Sequence, residues 1–352
     1  MRLELFVRII LLFFLGTVCF PEVLAAAGQT QAAPPTKRSL GKKRVRIMAV
    51  RDAGGEIAGM EYFIRQRRYV KMGDTEFPVA DVGHTLVSAD RNVILKYGDP
   101  AAGHDEFDTD LYWYDGGGRP VNKIVGAYQY LRVAMSPDGF VAVCGRTIGG
   151  KKDAIVLFKP NGDVLNPAIP FPVAKGCFRI AVATGGFVVG VLTVNRSGDW
   201  DKTADLEVYS RRGTRRVLGK GINYPQGIFL SGEGAYALVP GKNKLVLADL
   251  KRGRVLWTKR GFFRLANRYG FRADTKRRIA IVNTVTIDRE KSPDGMLTLN
   301  LLSLPDGFEL LKKHVPEVEI QDYPRALFDS EGNLLMRTDR KEFRIKTKGE
   351  WK

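Results

Sequence analysis

A set of polar residues recurs at nearly even steps along the chain, each near the start of an apolar stretch. Guanidinium groups dominate the set, and their planar N–H donors match the oxygens of carboxylates and phosphates. If the fold brings these side chains to one axis, they form a mostly basic ring suited to a carboxylate, a phosphate or an acidic side chain of a peptide. The alternative is that each turns sideways and pairs with an acid or a carbonyl of a neighbouring element, as buried polar groups do. The members of the set are His84, Arg132, Arg179, Gln226 and Arg325.

Each of these residues opens a β-hairpin of the same pattern. The clearest copy is YLRVAMSPDGFVAV, Tyr130 to Val143, in which a tight turn at Pro137 to Gly139 joins two apolar segments. A poorer copy places Tyr269 or Gly270 at the position of Arg132, and the steps between the six copies are then 48, 47, 47, 44 and 55 residues. A second hairpin with glycine in its turn follows most copies, so one period holds four strands. This period is typical of four-stranded propeller blades rather than of helical repeats.

The pattern therefore predicts an all-β protein, a β-propeller of four-stranded blades. Apolar residues alternate with a period of two, and no amphipathic helix is evident. A β-sandwich is the alternative, and it is disfavoured because sandwiches seldom keep so even a period. Six aligned copies favour six blades. Residues 44–80 either give an N-terminal strand that completes the last blade and closes the ring, or form a seventh blade.

The N-terminal residues have the pattern of a secretory signal. Basic Arg2 and Arg8 accompany a twelve-residue apolar run from Ile9 to Phe20, and the small residues Ala25 to Ala27 offer a cleavage site. The run is too short for a comfortable transmembrane helix, although a retained signal anchor is the alternative. We expect a signal peptide over 1–27, a flexible linker over 28–43 and one propeller domain over 44–352. A cleaved signal predicts a secreted or periplasmic protein of the cell envelope.

The composition is strongly basic, with 56 Lys and Arg against 38 Asp and Glu and a formal net charge of +18. For an exported chain this balance favours anionic envelope material over nucleic acid: an acidic envelope protein, an anionic glycan or a phosphate-bearing ligand. The basic clusters are spread along the chain, so a generally basic surface without a dedicated partner is the alternative. We expect a monomer with no transmembrane segment after signal cleavage.

Two cysteines remain after the signal, Cys144 and Cys177. In an exported protein such a pair is a candidate disulfide, here between the second strand of one blade and the start of the next. Two buried, unlinked thiols are the alternative.

The segment GHDEFDTD is the most acidic part of the chain. Carboxylate oxygens at this density suit a divalent cation such as calcium, although the spacing matches no EF-hand loop and a solvated acidic loop is the alternative. No other cofactor is expected. The candidate ligands are His104, Asp105, Glu106, Asp108 and Asp110.

Two short stretches resemble known propeller repeats. The SPDG turn, Ser136 to Gly139, resembles the repeats of TolB-type and WD40-like propellers, and ADLKRGRVLWTK, Ala248 to Lys259, resembles a repeat of the PQQ-like propellers. The resemblance implies the β-propeller repeat superfamily and an envelope binding or assembly role, with no catalytic residues to transfer. Quinoprotein dehydrogenases of the PQQ class have eight blades and further ligand residues that this sequence does not show.

The sequence has no catalytic signature of the common kinds. It lacks a nucleophile elbow, an HExxH helix, a CxxC pair, a phosphate-binding glycine loop and a sialidase aspartate box. The predicted function is therefore a binding or scaffold module for an envelope protein or an anionic ligand at the mouth of the channel. The alternative is a hydrolase or lyase acting on a carbohydrate or lactone, cation-dependent and using acidic loops on the same face. No catalytic residue is assigned.

Overall fold

The computed structural model describes residues 47–345, apart from 65–66, 99–107, 148–152, 172–174, 187, 196–202, 232–233, 262, 268, 289–291 and 317. In these ranges the regular structure is β-strand, with two short 3-10 helices at Thr184–Gly186 and Ile320–Asp322. The strands, β1 to β26 in chain order, pair antiparallel with their neighbours. No helix of the described ranges is long and apolar enough to cross a membrane. The predicted all-β propeller fold is confirmed.

The first eleven strands form three sheets. Sheet 1 consists of β1 Met48–Arg51, β2 Ile57–Ile64, β3 Arg67–Met72 and β4 Thr75–Val79. Sheet 2 consists of β5 His84–Val87, β6 Val93–Gly98, β7 Asp108–Asp115 and the first half of β8 Pro120–Met135. Sheet 3 consists of the second half of β8, β9 Val141–Thr147, β10 Asp153–Phe158 and β11 Val164–Pro170. The long strand β8 pairs with β7 and then with β9, so it ends one blade and begins the next.

The remaining strands form four sheets. Sheet 4 consists of β12 Lys175–Val182, β13 Val188–Asn195, β14 Thr203–Ser210 and β15 Arg215–Asn223. Sheet 5 consists of β16 Phe229–Leu230, β17 Tyr236–Pro240, β18 Lys244–Asp249 and β19 Arg254–Arg260. Sheet 6 consists of β20 Phe271–Asp274, β21 Ile279–Asp288, β22 Ser292–Ser303 and β23 Glu309–His314. Sheet 7 consists of β24 Arg325–Phe328, β25 Leu334–Arg337 and β26 Glu342–Arg344.

The turn of the clearest repeat shows how sequence sets the order of the blades. Gly139 has a φ of 85°, a left-handed conformation that glycine adopts without a Cβ clash. The Asp138 carboxylate accepts a hydrogen bond of 2.7 Å from the Gly185 N–H of sheet 4. On the other side, the Pro137 carbonyl accepts one of 2.8 Å from the Ala89 N–H of sheet 2. This turn therefore joins three consecutive sheets.

Apolar side chains fill the space between consecutive sheets. Between sheets 2 and 3, Leu95 and Trp113 pack with Val143 and Phe158, and the Trp113 and Phe158 ring centroids are 5.2 Å apart. Each such buried side chain contributes about 1.5–3 kcal/mol of transfer free energy. Comparable clusters join sheets 1 and 2, 3 and 4, 4 and 5, 5 and 6, and 6 and 7. Six of the seven junctions between blades are thus apolar.

The junction between sheets 7 and 1 is polar instead. Arg51 at the end of β1 forms an ion pair with Asp339, and its guanidinium lies 4.0 Å from the centroid of the Tyr323 ring. Glu56, just before β2, lies 3.1 Å from Arg325 at the start of β24. No apolar cluster among the described residues spans this junction. Charged side chains therefore link the first sheet to the last.

Residues 48–79 form a four-stranded sheet of their own, which is the arrangement expected for a seventh blade. Sheet 7 has three strands in the described part of the chain. All four strands of 48–79 belong to sheet 1, so none of them completes sheet 7. Closure of the ring by an N-terminal strand stays a prediction.

A buried charged network fixes sheet 1 on sheet 2. Lys96 of β6 is fully buried, and its Nζ donates hydrogen bonds to Glu61 Oε1 at 3.0 Å and to Thr85 Oγ1 at 2.9 Å. Arg68 also donates to Glu61 Oε1, at 2.9 Å. Burial lowers the pKa of Lys96 to about 8, against the opposing attraction of Glu61. The lysine is therefore protonated at neutral pH but loses its proton at a lower pH than an exposed lysine does.

This network predicts a pH dependence of stability. Between pH 8 and 10.5 the unfolded chain keeps a proton on Lys96 that the folded chain has released, so raising the pH favours the folded state. Across that window the free energy of unfolding of the wild-type protein should rise relative to that of Lys96→Met by up to about 3 kcal/mol. Urea unfolding at several pH values measures this difference, with Lys251→Met on the surface as control. A constant difference from pH 8 to 10.5 would contradict it.

Candidate anion-binding site in the central cavity

The first strands of the blades enclose one cavity of about 540 Å³. All seven sheets contribute lining residues, from β1, β5, β8, β12, β16, β20 and β24 or from the residues next to them. This volume lies within the range of small-molecule binding sites. The cavity is the candidate site because the polar residues singled out in the sequence were expected at the channel that these strands surround.

Three of the five predicted residues line the cavity: Arg179, Gln226 and Arg325. His84 is not among the lining residues; it is exposed and stacks on Tyr97, with ring centroids 5.0 Å apart. Arg132 is also exposed and outside the lining, although its charge acts on Arg179. The structure thus places part of the expected ring around the cavity and turns the other members away.

Gln226 has a structural role between two sheets. Its Oε1 accepts a hydrogen bond of 2.9 Å from the Leu265 N–H, and its Nε2 donates to the Phe263 carbonyl at 3.4 Å. Both ends of the amide are therefore engaged by the segment that leads into sheet 6. This is the sideways pairing that was the alternative to ligand binding.

Arg325 has a buried guanidinium at the edge of the cavity. The residue is 8% exposed and lines the cavity. Its Nη1 lies 3.1 Å from Glu56 Oε1, an ion pair whose angles do not meet those of a hydrogen bond. Neither Nε nor Nη1 has a hydrogen-bond partner. Both atoms have almost no accessible surface, so Arg325 acts on the cavity through its charge.

Arg272 is the functional candidate that the sequence argument missed. It lies on β20, two residues after Gly270, and lines the cavity. Water reaches its side chain through the cavity, but protein surrounds it: burial lowers its pKa, and the nearby charge of Arg325 lowers it further. The charge of Arg337 also lowers the pKa of Arg272, whereas the charge of Glu56 raises it. Arg272 makes no hydrogen bond or ion pair with any residue that the structure describes, so solvent and the attraction of Glu56 balance its charge.

The acids near the cavity are already engaged. Asp339 pairs with Arg51, and Glu56 lies 3.1 Å from Arg325 and 3.6 Å from Arg337. The third acid, Asp52, accepts hydrogen bonds of 3.0 Å from two backbone N–H groups of its own turn, and Arg91 Nε lies 3.4 Å away. These acids therefore form no ion pair with Arg272.

Arg179 forms a second positive position on sheet 4. Its Nη1 donates to the carbonyl of its neighbour Phe178 at 3.0 Å, and its guanidinium lies 4.3 Å from the centroid of the Phe178 ring. Burial lowers the pKa of Arg179, and Arg132 lowers it further. Only part of this guanidinium is free to meet a ligand.

The structure describes only part of the predicted cation site. His104, Asp105 and Glu106 lie outside the described residues, and Asp108 begins β7. Asp110 is buried; its carboxylate accepts hydrogen bonds from the Gly126 N–H at 2.8 Å and from the Tyr112 hydroxyl at 3.0 Å. In the ranges covered here, no group of three or more His, Cys, Asp or Glu side chains could hold a metal ion. The calcium site stays a prediction.

The two cysteines are neighbours but carry free thiols. Cys144 is buried in the cluster between sheets 3 and 4, and half-buried Cys177 packs against that cluster. Burial raises the pKa of the Cys144 thiol, and a hydrogen bond with Cys177 raises it further. The sulfurs are thus within hydrogen-bonding reach of each other, and thiol–disulfide exchange would link the two sheets.

We expect oxidised glutathione to convert this pair to a disulfide. The bond closes a loop of about 33 residues and should stabilise the fold by about 3–4 kcal/mol. Peptide mass spectrometry after alkylation should find neither Cys144 nor Cys177 labelled, and the thermal midpoint should rise. Cys177→Ser is the matched control, in which neither change occurs. Full alkylation of both residues in oxidised, then unfolded, wild-type protein would show that they do not pair.

No protein-family model matches the chain, and no curated protein matches its sequence. Among solved structures, the chain is similar to AztD of Citrobacter koseri, with 12% identity and a TM-score of 0.45 over 73% of this chain and 69% of that one. The apo form of AztD gives 12% and 0.46 over 74% and 71%. Hydrazine synthase of Kuenenia stuttgartiensis gives 13% and 0.42 over 72% of each chain. We draw no functional conclusion from similarity at this level.

Proposed function

We propose that the protein is a binding module that holds an anionic ligand in its central cavity, with Arg272 as the main contact. The observation that supports this most is the exposed guanidinium of Arg272, which lines the cavity near the charge of Arg325 and has no hydrogen bond or ion pair among the described residues. Like charges gathered at one cavity attract an anion.

The chemistry of such a ligand follows from the donors. A carboxylate or phosphate oxygen can accept charge-assisted hydrogen bonds from the Arg272 guanidinium, each worth about 1.5–3 kcal/mol, and the charge of Arg325 adds to the attraction. The anion would also relieve the repulsion that lowers the pKa of Arg272. Binding should therefore weaken as salt screens the charges, but less than at an exposed site, because the cavity limits screening.

The proposed setting is the cell envelope. It is supported by the signal-like residues 1–27 and by the net charge of +18, which favours contact with acidic proteins, anionic glycans or phosphate-bearing molecules. No contact among the described residues favours the hydrolase or lyase alternative. The acids at the cavity are engaged in ion pairs and turns, and much of the acidic segment 104–110 lies outside the described ranges.

Replacing Arg272 with Gln tests the binding proposal. The change removes the positive charge, so the affinity for inorganic phosphate should fall about 10- to 100-fold. The thermal midpoint should stay the same or rise slightly, since repulsion between Arg272 and Arg325 is lost. Titration followed by NMR or calorimetry measures the affinity. The matched control is Arg254→Gln on β19, an exposed arginine outside the cavity.

The two variants separate specific binding from a general charge effect. An equal small loss of affinity in both would show that phosphate responds to net charge only. Unchanged affinity in Arg272→Gln would remove the cavity as the anion site.

A further inference from the structure

The charged and apolar residues of the cavity lie on different sides of it. Sheets 6, 7 and 1 supply Arg272, Arg325 and Arg51. Sheets 2 and 3 supply only apolar lining residues, among them Leu86 and Met135. The cavity is therefore amphipathic across its width.

Sheets 4 and 5 extend the apolar side. Ile180 and Phe229 represent their contribution, and both are half-buried, so part of each side chain is open to the cavity. The polar lining residues on this side are Arg179, Gln226 and Ser231; the Arg179 guanidinium is turned onto the ring and carbonyl of Phe178, and the Gln226 amide is held by the backbone of Phe263 and Leu265. This arrangement leaves an apolar wall opposite Arg272 and Arg325.

We propose that the ligand is an amphiphilic monoanion, a carboxylate with an aliphatic body. This inference rests on the proposed function and specifies it. The carboxylate lies next to Arg272, whose exposed guanidinium donates hydrogen bonds to it, and the charge of Arg325 adds to the attraction. The aliphatic body lies against the wall that includes Leu86, Ile180 and Phe229, where it covers apolar surface that water otherwise contacts.

The observations favour this class over small polar anions and over apolar ligands. A polar dianion such as succinate would need a second positive position opposite the first, and Arg179, the arginine on that side, has its guanidinium turned onto the ring and carbonyl of Phe178. A neutral apolar molecule would leave the charge of Arg272 without a partner. The volume of about 540 Å³ is ample for a carboxylate with several methylenes.

A series of straight-chain carboxylates tests the proposal on the wild-type protein. Acetate, butyrate, hexanoate and octanoate share one headgroup, so any gain in affinity along the series comes from the aliphatic body. We expect affinity to rise by up to about fourfold for each methylene that becomes fully buried. Octyltrimethylammonium, with the same tail and the opposite charge, should not bind.

Two variants assign the two ends of the ligand. Arg272→Gln should weaken the binding of every member of the series by a similar factor. Leu86→Asn should weaken octanoate about tenfold and leave acetate and phosphate unchanged. Circular dichroism and the thermal midpoint establish whether each variant is folded. If Leu86→Asn does not fold, the wild-type series alone tests the proposal.

The outcomes distinguish this inference from the proposed function. Affinity that rises with chain length and falls in Arg272→Gln supports both. If phosphate and acetate bind through Arg272 as tightly as octanoate, anion binding stands and the amphiphilic class is overturned. If no anion binds, both proposals fall. Equal binding of octyltrimethylammonium and octanoate would show a purely apolar site and overturn the role of the arginines.

Discussion

The polar junction between the first and last sheets is the interaction on which the rest of the structure depends. Six junctions have an apolar cluster, whereas sheets 7 and 1 meet through the Arg51–Asp339 ion pair and the approach of Glu56 to Arg325. The cavity exists only while this junction holds, because its wall is made of one strand from each sheet. An ion pair with little exposure contributes more than a surface pair, but it must repay desolvation. The ring therefore closes with charges placed at its centre.

Closure also determines which charges stay free. Both acids that link sheets 7 and 1, Asp339 and Glu56, are used by arginines of the junction itself. Arg272 of sheet 6 faces the same region, and it has neighbours of its own sign in Arg325 and Arg337. The positive charge of the cavity is thus a consequence of how the ring is closed. The same ion pairs that stabilise the fold leave one guanidinium for a ligand.

The sequence predicted the fold better than the site. Even spacing and the SPDG turn specified hairpins and blades because turn chemistry is local: Gly139 has the left-handed φ that such a turn requires. Side-chain partners are not local. Glu56 is 269 residues from Arg325, and no pattern of spacing connects them. His84 could not be told from a cavity residue, because its stacking on Tyr97 depends on the neighbouring strand. Arg272 was hidden because the poor repeat put Tyr269 or Gly270 at the reference position, before the start of β20.

The regularity of the repeat in each blade also bears on function. The blades with the clearest repeats, sheets 2 to 5, line the cavity mainly with apolar residues, since the repeat pattern selects a strand that packs between blades. Other charged lining residues come from departures from the repeat: Arg272 lies in sheet 6, which holds the poorest copy, and Arg51, Asp52 and Glu56 belong to sheet 1, which has no recognisable copy. A repeat sequence under selection for packing alone would be as regular there as elsewhere. Arg272 and Arg51 lie in two of these departing blades, where packing rules explain the sequence least. The irregular blades are therefore where a function of this propeller is most readily sought, and the regular ones supply the frame that holds them.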